Sequence, residues 1–162
     1  MTVQELLQKV GNSPVEKRAI TNLNVLNEAF DYAKPSSFSR GMRIDLGGVV
    51  ILLISGTASI NENGETVHAG DFRAQTQRTF RNITELLAAE GATWKDIVRT
   101  TCYLRDIERD YAAFNEERTG FYAQQQLDPL PASTGIQAIL CRPDLLIEIE
   151  AIAMFRQATT QK

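Results

Sequence analysis

The sequence predicts an α+β domain in which two long amphipathic helices cover one face of a single sheet. Three observations predict it. Residues 71–91 and 109–126 carry apolar side chains at helical spacing, each long enough to span a sheet. The remaining apolar segments are short, rich in β-branched residues and bounded by Gly, Pro or Asn. The order of these elements, helix, β, β, helix, β, helix, β, β, lacks the strict strand–helix alternation of a parallel α/β fold.

The elements follow in order. Within residues 14–34, "PVEKRAITNLNVLNEAFDYA" reads as an amphipathic helix. Ser13 is its N-cap, Pro14 its first residue and Glu16 its acidic first turn. Ile20, Leu23, Leu26 (or Asn27) and Phe30 fall near helical spacing, and Pro35 ends it. "GMRIDLGGVVILLISGTASI" reads as two strands joined at Gly47-Gly48. The second is apolar on both faces and therefore central. It runs into "SGTAS", small residues that let backbone approach a ligand or another chain. "NENGETVHAG" is a turn or hairpin loop.

Asp71 caps a helix that Gly91 stops, with Phe72, Thr76, Phe80, Ile83 and Leu87 as its buried stripe. In "ATWKDIVRTTCYLRD" a short turn precedes a strand. Val98, Thr100, Cys102 and Leu104 face one way along it, and Arg99, Thr101 and Tyr103 the other. "RDYAAFNEERTGFYAQQQ" is the second core helix, with Tyr111, Phe114 and Phe121 inward. Pro129 and Pro131 end the connection, and strands follow near 132–140 and 145–155. "QATTQK" is a frayed tail. The chain divides into an N-terminal helical extension (1–35), one domain (36–157) and the tail (158–162). The second sheet face keeps apolar residues that no further element covers, so self-association is expected.

Bulk properties narrow the function classes. The chain has 162 residues, is 43% hydrophobic and 23% charged, and carries a net charge of −3 at a pI near 5.2. That balance argues against nucleic-acid binding by counterion release. The longest apolar run, "GGVVILLI", is too short to span a bilayer, so no membrane partner is expected. The N-terminus lacks an apolar signal core, and two isolated cysteines, Cys102 and Cys141, suit a reducing cytoplasm.

The chemistry-bearing feature is "LLIEIEAIAM". Residues two apart in a strand share a face, roughly 7 Å apart. Glu148, Glu150 and Ile152 therefore share one face, and Ile147, Ile149, Ala151 and Ala153 the other. Most strand glutamates are simply solvated. In flanks this apolar, a carboxylate needs partners or has a raised pKa, as a general acid or base requires.

The same stretch, "IEIEAIA", resembles the closing strand of the RidA/YjgF family of enamine/imine deaminases, also labelled L-PSP endoribonucleases. "ISGTASI", "QTQRTFRNITELLAAEGATWKDIVRTTCYLRDI" and "YAAFNEERTGFY" resemble that family's central strand, first helix with its following strand, and second helix. The resemblance covers roughly residues 38–156. It implies a chorismate-mutase-like α+β fold, a homotrimer, and ligand pockets at the subunit interfaces. It also implies a small carboxylate-bearing ligand and no metal or organic cofactor. Glu148 would face such a pocket, and Glu150 would pair with a base or face the trimer interior.

Two departures qualify this. In active members the Pro-Ala pair precedes an arginine that grips the substrate carboxylate, and a glutamate fifteen residues later handles water. Here Pro131-Ala132 precedes Ser133, with Glu148 fifteen residues on. A serine cannot form the bidentate fork of an arginine, a loss on the order of 2–5 kcal/mol in binding. The family's Tyr-Ser-Gln stretch appears as Phe38-Ser39-Arg40, so Arg40 is either a replacement anion anchor or a surface arginine beside a turn. "SGTASI", "VHAGD", "PASTGI" and the Cys141–Glu148 spacing also resemble the larger chorismatases, which suggests a cyclic or aromatic carboxylate.

The candidate site is then Glu148 as acid/base, backbone near Gly56-Thr57 and Gly135, Ser133 and Thr134 as hydroxyl donors, and Phe38 with Arg40. Cys141 serves as a pocket wall or a buried thiol, with no histidine partner to make it a nucleophile. Phe121 or Tyr122 reaches a neighbouring subunit's pocket, as an aromatic of that helix does in relatives. His68 reads as a surface turn residue, and no phosphate-loop pattern is present. Two functions follow: an enzyme acting on an enamine, imine or enol ether, or a module that binds a metabolite without turnover.

Overall fold

The computed structural model describes residues 15–157. One six-stranded sheet, ordered β1-β2-β3-β6-β4-β5, carries two helices on one face. The strands are β1 (Glu16–Ala19), β2 (Gly41–Asp45), β3 (Val49–Ala58), β4 (Ile97–Leu104), β5 (Ala132–Gln137) and β6 (Ile147–Arg156). The helices are α1 (Phe72–Ala88) and α2 (Ile107–Gln124). Only β4 and β5 pair in parallel; every other neighbouring pair is antiparallel.

Local chemistry sets the element ends. The Asp71 carboxylate accepts from the Ala74 amide at 3.0 Å, and Asp106 accepts from the Arg109 amide at 3.0 Å, capping the two helices. Gly91 takes φ +72° after α1, where a side chain would be strained. Gly47 and Gly48 both take positive φ in the β2–β3 turn, which matches the twist of a tight hairpin.

The core lies between sheet and helices. Val50, Leu52 and Ile54 of β3 and Ile147, Ile149, Ala151 and Ala153 of β6 are buried there. Phe80 stacks on Phe121 with centroids 4.6 Å apart, and Trp94 meets both edge-on. The opposite sheet face is covered at one end, where Leu140 and Leu145 pack with Ala58 and Tyr103, and is otherwise open, keeping large apolar side chains, among them Leu53 at 40% and Met154 at 44% exposure.

The expected helix over residues 14–34 is absent from the described residues. Instead β1 pairs with β2, setting Lys17 opposite Ile44, and a short 3-10 turn spans Ala29–Asp31. Tertiary contacts override the periodicity. Sheet pairing supplies backbone partners, while Ile20, Leu26 and Ala29 enter the main core from an irregular path. The Asn22 side chain bonds the Glu85 carbonyl at 3.0 Å, fixing that path on α1. The expected cap at Ser13 and Pro14, and the tail beyond Gln157, lie outside the described residues; Gln157 itself pairs with the Gly48 carbonyl.

Two smaller corrections have local causes. Val98 is exposed because the β4–β6 register shifts between Ile97 and Arg99, turning Ile97 inward in its place. Tyr111 is exposed because it lies over edge strand β5, near Gly135, rather than over the sheet centre.

Candidate functional site

Glu148 stands on the open sheet face, aligned with Tyr103 of β4 and Ala58 of β3. Its carboxylate lies directly over Gly56: a Cβ at that position would fall 2.0 Å from Glu148 Oε1. The β3–β6 register shifts between Ile54 and Thr57, so Ser55-Gly56 forms a bulge and presents backbone there. No hydrogen bond to the Glu148 carboxylate is found among the described residues. Partial burial first, and the Glu150 carboxylate second, push its pKa above the ordinary range.

Glu150 is exposed and accepts from the Tyr103 hydroxyl at 3.2 Å. Burial and the Glu150 charge push that hydroxyl's pKa up. One glutamate is thus solvated and bonded, the other half-buried and unbonded. Two carboxylates whose surroundings push them apart in this way differ in how readily each holds a proton.

The segment before β2 joins this cluster. The Ser55 amide donates to the Arg40 carbonyl at 3.1 Å, and its hydroxyl to the Ser39 carbonyl at 2.7 Å. The Thr57 hydroxyl is turned back on the Ser55 carbonyl at 2.8 Å. Arg40 is 4% exposed, so it is no surface arginine. Its guanidinium donates to the Asn27 carbonyl at 2.8 and 3.1 Å and to the Tyr32 hydroxyl, and lies over the Tyr32 and Phe38 rings. It holds the N-terminal segment to the sheet.

A second cluster forms on the other side of the sheet. The parallel register aligns Ser133 with Thr100 and Gly135 with Cys102, both core-facing residues, so Ser133 points toward α2. Thr100 donates to the Ser133 hydroxyl at 3.0 Å, and Arg118 of α2 donates to it at 3.1 Å. Thr134 faces the open side and accepts from Arg99 at 3.1 Å. Within one chain, therefore, Glu148 and Ser133 lie on opposite faces of the sheet.

The remaining expected residues fall elsewhere. Cys141 is exposed in the β5–β6 loop, not buried as one reading had it. Phe121 packs its ring against Phe80 and Trp94 in its own core. His68 is an exposed turn residue with φ 59°. Arg118, Arg99 and Tyr103 are not among the site residues expected from the sequence. Only Arg118 had a local signal, its four-residue spacing from Phe114, over whose ring its guanidinium lies at 4.8 Å.

Among the described residues no group of three or more His, Cys, Asp or Glu is placed to hold a metal ion. No helix among them is long and apolar enough to cross a membrane.

A two-helix layer on a six-stranded sheet is an arrangement with known members. The endoribonuclease L-PSP family model matches residues 31–155. The chain belongs to that family, the RidA/YjgF proteins. It is 34% identical over 103 residues to the 3-aminoacrylate deaminase RutC of Acinetobacter baylyi, covering 64% of this chain and 78% of that protein. A RutC family protein of Pyrococcus abyssi is 35% identical over 103 residues, covering 63% and 76%. The E. coli YjgF structure superposes with TM-score 0.68 at 28% identity, over 86% of this chain and 99% of that one. E. coli TdcF with bound serine superposes with TM-score 0.68 at 25% identity, over 85% and 98%.

Proposed function

We propose that this protein deaminates a small carboxylate-bearing enamine or imine, with Glu148 as the proton-handling group. The half-buried, unbonded Glu148 carboxylate over the Gly56 backbone carries the reading. The similarity to a 3-aminoacrylate deaminase and to a protein holding serine supports the substrate class.

The chemistry balances around one carboxyl group. Protonated Glu148 gives its proton to the enamine carbon, forming the iminium ion. The resulting carboxylate takes a proton from water as the water oxygen bonds to the iminium carbon. Glu148 returns that proton to nitrogen; as the C–N bond breaks and ammonia leaves, the hydroxyl gives its proton to the Glu148 carboxylate, so the carbonyl forms and Glu148 ends protonated as it began. Net, one water is consumed and one ammonia released. An upward shift from the ordinary carboxylate range is the direction that a group which must both give and take a proton requires.

The site is completed by a second copy of the chain, in a homotrimer. Two features support this: Glu148 and Ser133 lie on opposite faces of one sheet, and the open face exposes Leu53 and Met154. Ser133 in place of an arginine favours a second reading, a module that binds the metabolite without turnover.

The deciding experiment follows ammonia release from freshly generated 2-aminoacrylate and 3-aminoacrylate. The wild type is expected to accelerate at least one, and Glu148→Gln neither. Wild-type binding of carboxylates with no acceleration selects the binding module.

A further inference from the structure

We infer that Arg118 of α2 is the carboxylate-binding cation of this protein, an assignment that rests on the proposed small-carboxylate site. Four observations converge on it. Arg118 has no carboxylate within ion-pair distance among the described residues, whereas Arg18, Arg43, Arg73 and Arg109 all do. Of its five N–H donors, two bond neutral acceptors: the Ser133 hydroxyl at 3.1 Å and the Asn115 side-chain oxygen at 2.5 Å. The Phe114 ring beneath it and these two bonds hold the guanidinium plane in place, so little entropy is lost when an anion docks. The group is half-buried, which strengthens a charge-assisted bond relative to open water.

The surroundings suit an anion. The Ser133 hydroxyl accepts from Arg118 and from Thr100 and lies 4.0 Å from the Cys102 sulfur, a far weaker acceptor for its proton than an arriving carboxylate. A ligand carboxylate at this place would take one oxygen on the guanidinium and the other on the hydroxyl. No acidic side chain bonds to Arg118, Ser133, Thr100 or Asn115 among the described residues. Arg40 is less suited, because its donors are committed to Asn27 and Tyr32 in a buried setting.

The probe is L-serine, with L-serinamide as the counterpart lacking the carboxylate charge. Calorimetric binding to wild type, Arg118→Gln, Arg118→Lys and Arg40→Met reads the assignment. Arg118→Gln is expected to weaken L-serine binding roughly ten- to hundredfold, the worth of one charged hydrogen-bonding group. Arg118→Lys should recover part of that loss, since it keeps the charge but not the planar fork. L-serinamide should bind wild type and Arg118→Gln alike. Arg118→Gln binding L-serine as tightly as wild type overturns the assignment alone. Wild type that neither binds L-serine nor accelerates either aminoacrylate overturns the site reading and the assignment together.

Discussion

Glu148 Oε1 occupies the space that a side chain at position 56 would need: a Cβ on Gly56 would lie 2.0 Å from it. The clash is with the far end of a flexible side chain, not with backbone. Gly56→Ala is therefore expected to swing the carboxylate away and leave the fold nearly intact. The loss in ammonia release should be on the order of a hundredfold, the usual worth of a positioned acid–base group. The unfolding free energy should change by less than about 1 kcal/mol, as for substitutions outside a packed core. Paired rate and urea-unfolding measurements check both; a rate near wild type would mean the carboxylate's place over the bulge is irrelevant.

The upward shift of the Glu148 pKa has a stability consequence. Its native pKa is raised above 4.5, so the native state binds the proton more tightly than the unfolded state. Stability therefore falls as pH rises from that ordinary value through the native one. Glu148→Gln carries no such penalty and should be the more stable protein at neutral pH. The difference should shrink as pH falls toward 4.5 and below. Urea midpoints from pH 4 to pH 8 read the effect, and a pH-independent difference would deny the raised pKa.

Much of this architecture was legible in the sequence, and the reasons are local. Asp71, Gly91 and the Gly47-Gly48 pair each act through their own backbone neighbours, so their meaning survives without the fold. The alternation in β6 likewise shows Glu148 and Glu150 on one face. The N-terminal segment failed because its periodic apolar residues serve a non-periodic path, fixed by pairing with a strand more than twenty residues away. Arg118 failed for a related reason. Its partner Ser133 reaches it only through the parallel β4–β5 register, which no local pattern encodes.

The proposed construction of the site across copies predicts complementation. Arg118→Gln and Glu148→Gln each damage a different half, on opposite sheet faces. Unfolded together and refolded as a mixture, they should form some sites that hold both native residues. Ammonia release is expected to rise above that of either variant alone. A mixture no better than its components would place both residues in one copy's site or deny one of them a role.

Glu90 anchors the first strand. Its side chain, 3% exposed, accepts from Arg18 at 2.6 and 2.8 Å and from buried Arg43 at 3.3 Å. Breaking a buried ion network leaves charge uncompensated, so Glu90→Ala should cost about 3 kcal/mol. Arg18→Ala should cost about 1 kcal/mol or less, because that arginine is mostly exposed. Urea midpoints distinguish the two, and equal costs would show the network to be a surface feature.

Arg40 and Glu28 form a buried pair of unequal fortunes. Arg40 has its partners, while both Glu28 carboxylate oxygens are buried without a hydrogen bond among the described residues. Burial raises the Glu28 pKa, and the Arg40 charge pulls it partly back. Arg40→Met leaves the Asn27 carbonyl and Tyr32 hydroxyl without their donor and should cost about 2 kcal/mol. Glu28→Gln should stabilise at pH 7, because the raised native pKa makes ionisation unfavourable above 4.5. In the double variant no unpaired carboxylate remains to suffer from the lost arginine. Its stability should exceed the sum of the single effects by about 1 kcal/mol, as for neighbours that interact directly. Urea unfolding of the four proteins measures that coupling. Additivity within about 0.3 kcal/mol would show the two groups to be independent, and the N-terminal segment would then be held by hydrogen bonds and ring contacts alone.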